Sequence, residues 1–343
     1  DTAEEEVAPT GARLLSTAKM CARMLIALSP AKTMNFATGT KKPTSTSSAK
    51  DTAAATLPCS FPPLSGASVP VVSALKALSK AQVKSTLGIS DNLSALNYTR
   101  YQAFENAADV GSGNDYERAI FAYNGDAYCA AAMNGRTLSK EALAFAQDHL
   151  RIISGLYGVV QALDYIQPYR LCMGTKLAVK DSAGTSHASL YSYWQPRIAK
   201  HLIKELESRP GDQPPLIINL ASNEYWKAVD PSTLADAGVT VVSCAFKNDG
   251  KVMSVFAKRA RGLMCRFILE NRVTDVEGLK AFNVEGYTFQ PGQSTADVLV
   301  FGRKKPAPRG RQSTAVAASP TTGKRGSESA TPTRAKRAKR EST

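Results

Sequence analysis

The sequence has few histidines, no closely spaced cysteines and no long apolar run. Its three histidines (His149, His187 and His201) are not spaced to share a metal ion. The six cysteines form no C-x-x-C pair, which favours free thiols in a reducing compartment over a disulfide framework. No stretch approaches the ~18 consecutive apolar residues of a membrane-spanning helix. These absences predict a protein with no metal, no cofactor and no membrane partner.

Positive charge is concentrated at one end of the chain. The formal net charge is +14, but residues 303–343 contain 12 Lys/Arg and 2 Glu, so residues 1–302 carry a net charge of only +4. A basic excess favours an anionic partner such as nucleic acid. Here that inference applies mainly to residues 303–343, which we call the basic tail.

Hydrophobic patterning divides the chain into three parts. Residues 1–23 lack periodicity and are predicted to be a disordered leader. Residues 24–302 are predicted to be a single compact domain of mixed α/β (α+β) class, with a mixed sheet, flanking helices and a Ser/Thr/Lys-rich insertion at 39–56. The basic tail has almost no large apolar side chains to offset the entropy lost on ordering, so disorder is predicted there.

Two Lys/Arg clusters in the basic tail are arranged like a bipartite nuclear import signal. They comprise Lys324, Arg325, Lys336, Arg337, Lys339 and Arg340. This layout predicts binding to an import receptor and, in a eukaryotic host, a nuclear rather than a cytoplasmic location. A nucleic-acid patch and a solubilising tail are the alternatives.

Several local patterns predict secondary structure in the core. Apolar runs at 24–28 and 215–222 predict buried strands, and Ser139 predicts the N-cap of a helix that continues to Ser154. Asn248-Asp249-Gly250 lies between two apolar runs and predicts a β-hairpin. A further helix is predicted from about Arg259 to Arg272.

The stretch "RIISGLYGV" at 151–159 places two glycines three residues apart. Gly155 predicts the end of the helix begun at Ser139, and Val159, Leu163 and Ile166 predict a second helix that Pro168 stops. Two helices joined by a tight hairpin would leave backbone N–H groups free to bind a phosphate. A plain corner between two helices, packed in the core, explains the same pattern.

A second basic cluster lies in "FAKRARGLMCRFILENR", at 256–272. Lys258, Arg259, Arg261 and Arg266 are predicted to line a groove that holds phosphates. The alternative is an ordinary solvated helix face.

Polar residues also follow the predicted buried strands. Ser29, Lys32, Asn219, Ser222 and Glu224 lie where ligand sites of α/β proteins are common. Lys32 could activate Ser29 or neutralise an anion, and Glu224 could serve as acid or base. An enzyme acting on a phosphorylated or nucleic-acid substrate, with Lys258 in the same pocket, is therefore one hypothesis, although N-caps and loop polar groups explain these residues too.

With these residues in view, the chain resembles the YaaA family of peroxide-stress proteins. The matching segments follow the family's order between residue 24 and about residue 302; they are "MLIALSPAKTMNF", "AIFAYNGDAY", "FAQDHLRIISGLYGVVQALDYIQPYRLCMGTKL", "LIINLASNEYWKAV", "FAKRARGLMCRFILENR" and "FNVEGYTF". The resemblance implies a mixed α/β fold with a helix-hairpin-helix element and a positively charged cleft. It also implies affinity for duplex and distorted DNA, and a role in limiting damage from hydrogen peroxide and iron.

Carried over to this chain, the resemblance assigns the hairpin to Gly155, Leu156, Tyr157 and Gly158. The residues expected to contact DNA from the cleft are Arg151, Arg170, Lys176, Lys258, Arg259, Arg261 and Arg266. The leading hypothesis is a DNA-binding protein, rather than an enzyme, that contacts the phosphate backbone without reading sequence. A third hypothesis makes the core a partner-binding module and the basic tail the only DNA contact.

Overall fold

The computed structural model describes residues 23–36, 56–58, 60–105, 116–129 and 131–304. Most of the predicted leader and insertion, and the basic tail after Lys304, lie outside these ranges. Within the described ranges, no helix is long and apolar enough to cross a membrane. The same residues contain no group of three or more His, Cys, Asp or Glu side chains placed to hold a metal ion.

The described strands, in chain order, are β1 (Met24–Leu28), β2 (Thr33–Met34), β3 (Glu117–Arg118), β4 (Tyr123–Asn124), β5 (Leu150–Ser154), β6 (Gly158–Gln161), β7 (Tyr165–Ile166), β8 (Val179–Lys180), β9 (Ser186–His187), β10 (Leu216–Leu220), β11 (Thr240–Asn248), β12 (Thr288–Phe289) and β13 (Val298–Arg303). Seven of them form one sheet in the order β12-β13-β11-β10-β1-β5-β6. The five inner strands are parallel, and the edge strands β6 and β12 are antiparallel to their neighbours. The predicted mixed sheet is confirmed.

The described α-helices are α1 (Ser65–Lys76), α2 (Lys80–Leu87), α3 (Asp91–Gln102), α4 (Ala119–Ala122), α5 (Lys140–His149), α6 (Leu190–Glu207), α7 (Asn223–Trp226), α8 (Pro231–Asp236), α9 (Ser254–Asn271) and α10 (Val276–Lys280). Helices α5 and α9 pack against each other and against β1. Helix α6 lies against β6, and its Glu205 reaches Arg151 of β5. The flanking helices are confirmed.

The apolar runs of β1 and β10 are confirmed as central strands. Every residue of β1 is buried, and β10 is buried from Ile217 onwards. Helix-covered parallel strands lose water on both faces, so an uninterrupted apolar run is typical of them. Their common direction brings their carboxyl ends to one edge of the sheet.

The predicted helix from Ser139 to Ser154 is only partly correct. Ser139 is the N-cap, and its hydroxyl accepts the N–H of Ala142, but the helix ends at His149. The next residues form β5 and β6, in which Ile152 pairs with Val160 and Ile153 with Val159. The predicted pair of helices is therefore a β-hairpin, because these β-branched side chains are buried better in the sheet beside β1 than on a helix.

The hairpin predicted at Asn248-Asp249-Gly250 is also incomplete. The turn forms, but only an isolated bridge joins Asn248 to Lys251, and α9 begins at Ser254. Strand β11 pairs with β10 and β13 instead. The helix predicted from about Arg259 is confirmed and starts five residues earlier.

Candidate functional site

A pair of serines marks the carboxyl edge of the sheet. Ser29 follows β1 and Ser222 follows β10, its parallel neighbour. The Ser29 hydroxyl donates to Ser222 Oγ at 3.3 Å and accepts the backbone N–H of Ser222 at 2.9 Å. Nearby, Asn219 accepts the N–H of Ala221 and donates to Ser243. The structure thus brings together Ser29, Asn219 and Ser222, three residues singled out from the sequence, and we call Ser29 and Ser222 the serine pair.

Helix α9 and the loop after β4 border the serine pair on one side. The Tyr128 hydroxyl donates to the Ser29 carbonyl at 2.7 Å. Gly262 of α9 packs directly on the backbone beside Tyr128, because a Cβ at this position would lie 2.1 Å from the Ala127 oxygen. Only glycine permits this approach, so α9 is held close to the loop that binds Ser29.

Arg170 joins the loop after Ser29 to helix α3, which carries Arg100 and Tyr101. Arg170 donates to the Lys32 carbonyl at 3.4 Å, and the Arg170 carbonyl accepts the Tyr101 hydroxyl. Burial raises the pKa of Tyr101 well above its ordinary value, although the charges of Arg100 and Arg170 oppose the increase. Tyr101 therefore stays neutral, and the positive charges around it are not offset there.

Glu224 does not act on the serine pair through a hydrogen bond. Its carboxylate accepts the N–H of Gly174 at 3.2 Å, and its carbonyl accepts the Tyr191 hydroxyl. Within the described part of the chain, neither Ser29 nor Ser222 is hydrogen-bonded to a His, Asp or Glu side chain. The arrangement lacks the adjacent base that an activated serine nucleophile requires.

The predicted phosphate-binding hairpin at 155–158 is wrong. Leu156 is fully buried and Tyr157 is nearly so. The N–H groups of both residues already donate to Ser154 Oγ, at 3.2 and 3.1 Å. Gly155 and Gly158 are buried as well. A phosphate cannot reach backbone groups that the fold has enclosed and paired.

Arg151 is also excluded as a DNA contact. Only 2% of the residue is exposed, and its guanidinium is paired with Glu205 (Nε to Oε2, 2.8 Å). Two more predicted contacts are already neutralised: Arg259 donates to Glu285 at 2.9 and 3.1 Å, and Arg266 lies 2.8 Å from Glu270. The basic cluster of α9 is therefore less available than its sequence suggests.

Arg261 differs from the other arginines of α9. In the described ranges it forms no ion pair and donates no hydrogen bond. Burial lowers the pKa of Arg261, and the nearby Cys244 opposes this change. Its guanidinium nitrogens are nevertheless not enclosed, so they reach solvent. Lys176 and Lys258 are exposed, and neither has a carboxylate partner among the described residues. We define the strand-end site as Ser29, Lys32, Arg170, Ser222 and Arg261.

A helical hairpin does exist, but at 80–102. Helix α2 ends at Gly88, whose φ of +60° is the left-handed conformation that glycine favours, and Ser90 caps α3 by accepting the N–H of Leu93. We call α2, residues 88–90 and α3 the helical hairpin. The signal was present in the sequence, since Gly88 and Ser90 are ordinary stop and start residues.

These features define a mixed α/β protein with an exposed helical hairpin and a cationic site at the strand ends. The sequence model of the family described as peroxide stress protein YaaA matches residues 24–293. A UPF0246 protein of Caulobacter vibrioides is 40% identical over 287 residues, which cover 82% of this chain and 100% of that protein. A UPF0246 protein of Delftia acidovorans is 41% identical over 286 residues, covering 82% of this chain and 99% of the relative. The chain belongs to the YaaA family of peroxide stress proteins, which confirms the resemblance drawn from its sequence.

Proposed function

We propose that this protein limits peroxide damage by binding the DNA backbone, without reading base sequence, through the helical hairpin and the cations around the strand-end site. The observation that carries the proposal is a set of cations without counter-charges. In the described part of the chain Lys32, Arg100, Arg170 and Lys258 have no carboxylate partner, whereas Arg151, Arg259 and Arg266 do. Unpaired Lys and Arg are the groups that phosphates attract.

Helix α3 connects the two parts of this surface. Its first N–H groups have no acceptor within the helix, and Ser90 satisfies only that of Leu93. The exposed amides of Asp91 and Asn92 therefore supply donors of the kind that bind phosphate at helix N-termini. Nine residues later, about 14 Å along the helix axis, Arg100 lies beside Arg170 and Tyr101. Contacts of this kind position a protein on DNA but do not specify a sequence.

The test compares two triple variants of the full-length protein. Lys32, Arg170 and Lys258 are changed to glutamine in one, and the exposed Lys180, Lys200 and Lys204 in the control. We expect the first to bind a 30-base-pair duplex of arbitrary sequence at least tenfold more weakly than the control at about 100 mM salt. Equal weakening of the two variants would contradict the proposal, because only net charge would then matter.

The basic tail is proposed to direct nuclear import. Its Lys/Arg clusters lie outside the described residues, and the proposal rests on their sequence alone. A fluorescent fusion of the full chain is expected to concentrate in nuclei of cultured eukaryotic cells. Changing Lys336, Arg337, Lys339 and Arg340 to glutamine should redistribute it to the cytoplasm; nuclear accumulation that persists would contradict this assignment.

A further inference from the structure

We propose that Arg261 and the serine pair form a socket for a phosphate monoester, the group found at a phosphorylated DNA end or on a small nucleotide. The chemistry of the socket stands on its own residues. Its connection to DNA ends rests on the proposed function.

Arg261 has the properties of a cation prepared for an anionic ligand. It lies on α9 between two buried residues, Ala260 and Gly262, and its side chain extends beside Cys244 of β11. Burial raises the pKa of Cys244 to about 12, so this thiol is neutral and supplies no counter-charge. A partly buried guanidinium that no protein group pairs can exchange water for strong hydrogen bonds to an anionic ligand. Because its nitrogens reach solvent, a ligand can approach them.

Two packing relations bring the part of α9 that carries Arg261 toward the serine pair. Asn219 of β10 pairs with Ser243 of β11, so Cys244 lies at the level of Leu220, two residues before Ser222. From the other direction, Gly262 packs on Ala127, and the adjacent Tyr128 binds the Ser29 carbonyl. Helix α9 packs on β11 and β1, and β10, which leads to Ser222, lies between these two strands.

The serine pair leaves one donor for a ligand. Ser29 donates its hydroxyl hydrogen to Ser222, and its oxygen accepts the Ser222 N–H. The Ser222 hydroxyl accepts the bond from Ser29, and its own hydrogen has no acceptor among the described residues. Arg261 adds the planar, forked donors that suit phosphate oxygens. The socket thus offers a charged fork and a hydroxyl to one anion.

These donors favour a monoester over the diester of an intact strand. A phosphate monoester has three unesterified oxygens and a charge of about −1.5 to −2 at pH 7, whereas a diester has two such oxygens and a charge of −1. A diester also continues into the chain on both sides, so it must lie along the surface, while a terminal phosphate is joined to the strand on one side only and can present three oxygens to Arg261 and Ser222. We therefore expect the protein to distinguish broken DNA from intact DNA.

The experiment uses full-length protein and two kinds of probe. One is a short duplex closed by hairpin loops, carrying a single nick with a 5′-phosphate, a 3′-phosphate or only hydroxyl ends. The other is deoxyadenosine monophosphate, compared with deoxyadenosine. We expect phosphate at the nick to tighten binding by about tenfold. Arg261→Gln should abolish this preference and Arg261→Lys should retain part of it, while Arg272→Gln, at the exposed residue that follows the helix, should preserve it. Thermal melting of each variant verifies folding.

The outcomes separate this proposal from the proposed function. If the wild-type protein binds phosphorylated and hydroxyl ends equally and also ignores the mononucleotide, the socket is refuted, while salt-sensitive binding to intact duplex would leave the proposed function standing. If the mononucleotide binds in an Arg261-dependent manner and nicked DNA shows no preference, the socket is supported with a small nucleotide as its ligand. Equal effects of Arg261→Gln and Arg272→Gln would refute it, since the response would then be general electrostatics.

Discussion

At the scale of single residues, Gly155 and Gly158 are required by packing. A Cβ on Gly155 would lie 2.8 Å from the Leu171 carbonyl oxygen, and one on Gly158 would lie 2.6 Å from the Trp194 ring. The Trp194 indole also donates to the Gly155 carbonyl at 2.9 Å. The two glycines therefore let the β5–β6 turn fit under α6.

Gly158→Ala is expected to destabilise the protein without weakening DNA binding by the folded form. Gly158 has a φ of +70° as well as the ring contact, so the loss should be about 2–4 kcal/mol. Gly238→Ala is the matched control, because Gly238 has the same φ but no atom within 4 Å, and should lose only about 1 kcal/mol. Urea unfolding followed by tryptophan fluorescence measures both; equal losses would show that the ring contact does not matter.

The buried pair of Arg151 and Glu205 makes stability depend on pH. Burial by itself would raise the pKa of Glu205, but Arg151 and Arg209 more than compensate, and the net pKa is below its ordinary value. A carboxyl whose pKa is lowered by folding contributes stability above its unfolded pKa and loses it as the pH falls through the folded value.

Glu205→Gln should therefore lower the free energy of unfolding by about 3 kcal/mol at pH 7, because Arg151 is left buried without its counter-charge. The difference in the free energy of unfolding between wild type and variant should become smaller as the pH falls below about 4.5, because the wild-type Glu205 carboxyl then becomes protonated. Glu207→Gln serves as the control, because Glu207 is exposed and lies two residues after Glu205 on α6. This substitution should change the free energy of unfolding little. Urea unfolding at pH 7 and at pH 4 measures this difference. A difference that does not depend on pH would contradict the assigned role of the Arg151–Glu205 pair.

At the scale of elements, the sequence predicted buried strands better than turns. Met24–Leu28 and Leu216–Leu220 were predictable because parallel strands under helices need apolar residues on both faces. The turn at 155–158 was not predictable, because Gly155 can end a helix or form part of a β-hairpin turn. Contacts with β1 and Trp194, both distant in sequence, decide between these outcomes. The ion pair that neutralises Arg259 was equally hidden, because Glu285 is remote in sequence; the pair of Arg266 with Glu270 was predictable, since residues four apart on a helix are neighbours.

The helical hairpin offers a gain-of-function prediction. Asp91 is the first residue of α3, next to the amides proposed to bind phosphate, and it pairs with Lys84 at 2.9 Å on the surface. Asp91→Asn removes a repulsive charge and frees Lys84, so DNA affinity should increase two- to threefold, worth about 0.5 kcal/mol. Stability should fall by less than about 1 kcal/mol, because an exposed ion pair contributes little.

Asp212→Asn is the control for this prediction. Asp212 is exposed in the turn before β10, at the amino edge of the sheet, opposite the strand-end site. Fluorescence anisotropy with a labelled duplex measures both variants. If the two substitutions increase affinity equally, the helical hairpin has no special role.

At the scale of the whole molecule, the core and the basic tail make separable contributions to charge. With the eleven Lys and Arg residues that follow Arg303 changed to glutamine, the core retains Lys32, Arg100, Arg170 and Lys258. If these four contact four phosphates, affinity should fall about a hundredfold between 50 and 200 mM salt. The affinity of the unmodified chain for DNA should fall more steeply with salt concentration. Loss of all binding in the modified chain would make the tail the only DNA contact.

The central position of β1 has a consequence for biosynthesis. Its two neighbours in the sheet begin at Leu150 and Leu216, so this apolar strand is synthesised long before either partner. At about 5–20 residues per second, the wait for β10 is roughly 10 to 40 s. Long-range pairing of this kind slows folding and leaves strand edges open to other chains. The nascent polypeptide is thus the form of this protein with the greatest need for a chaperone.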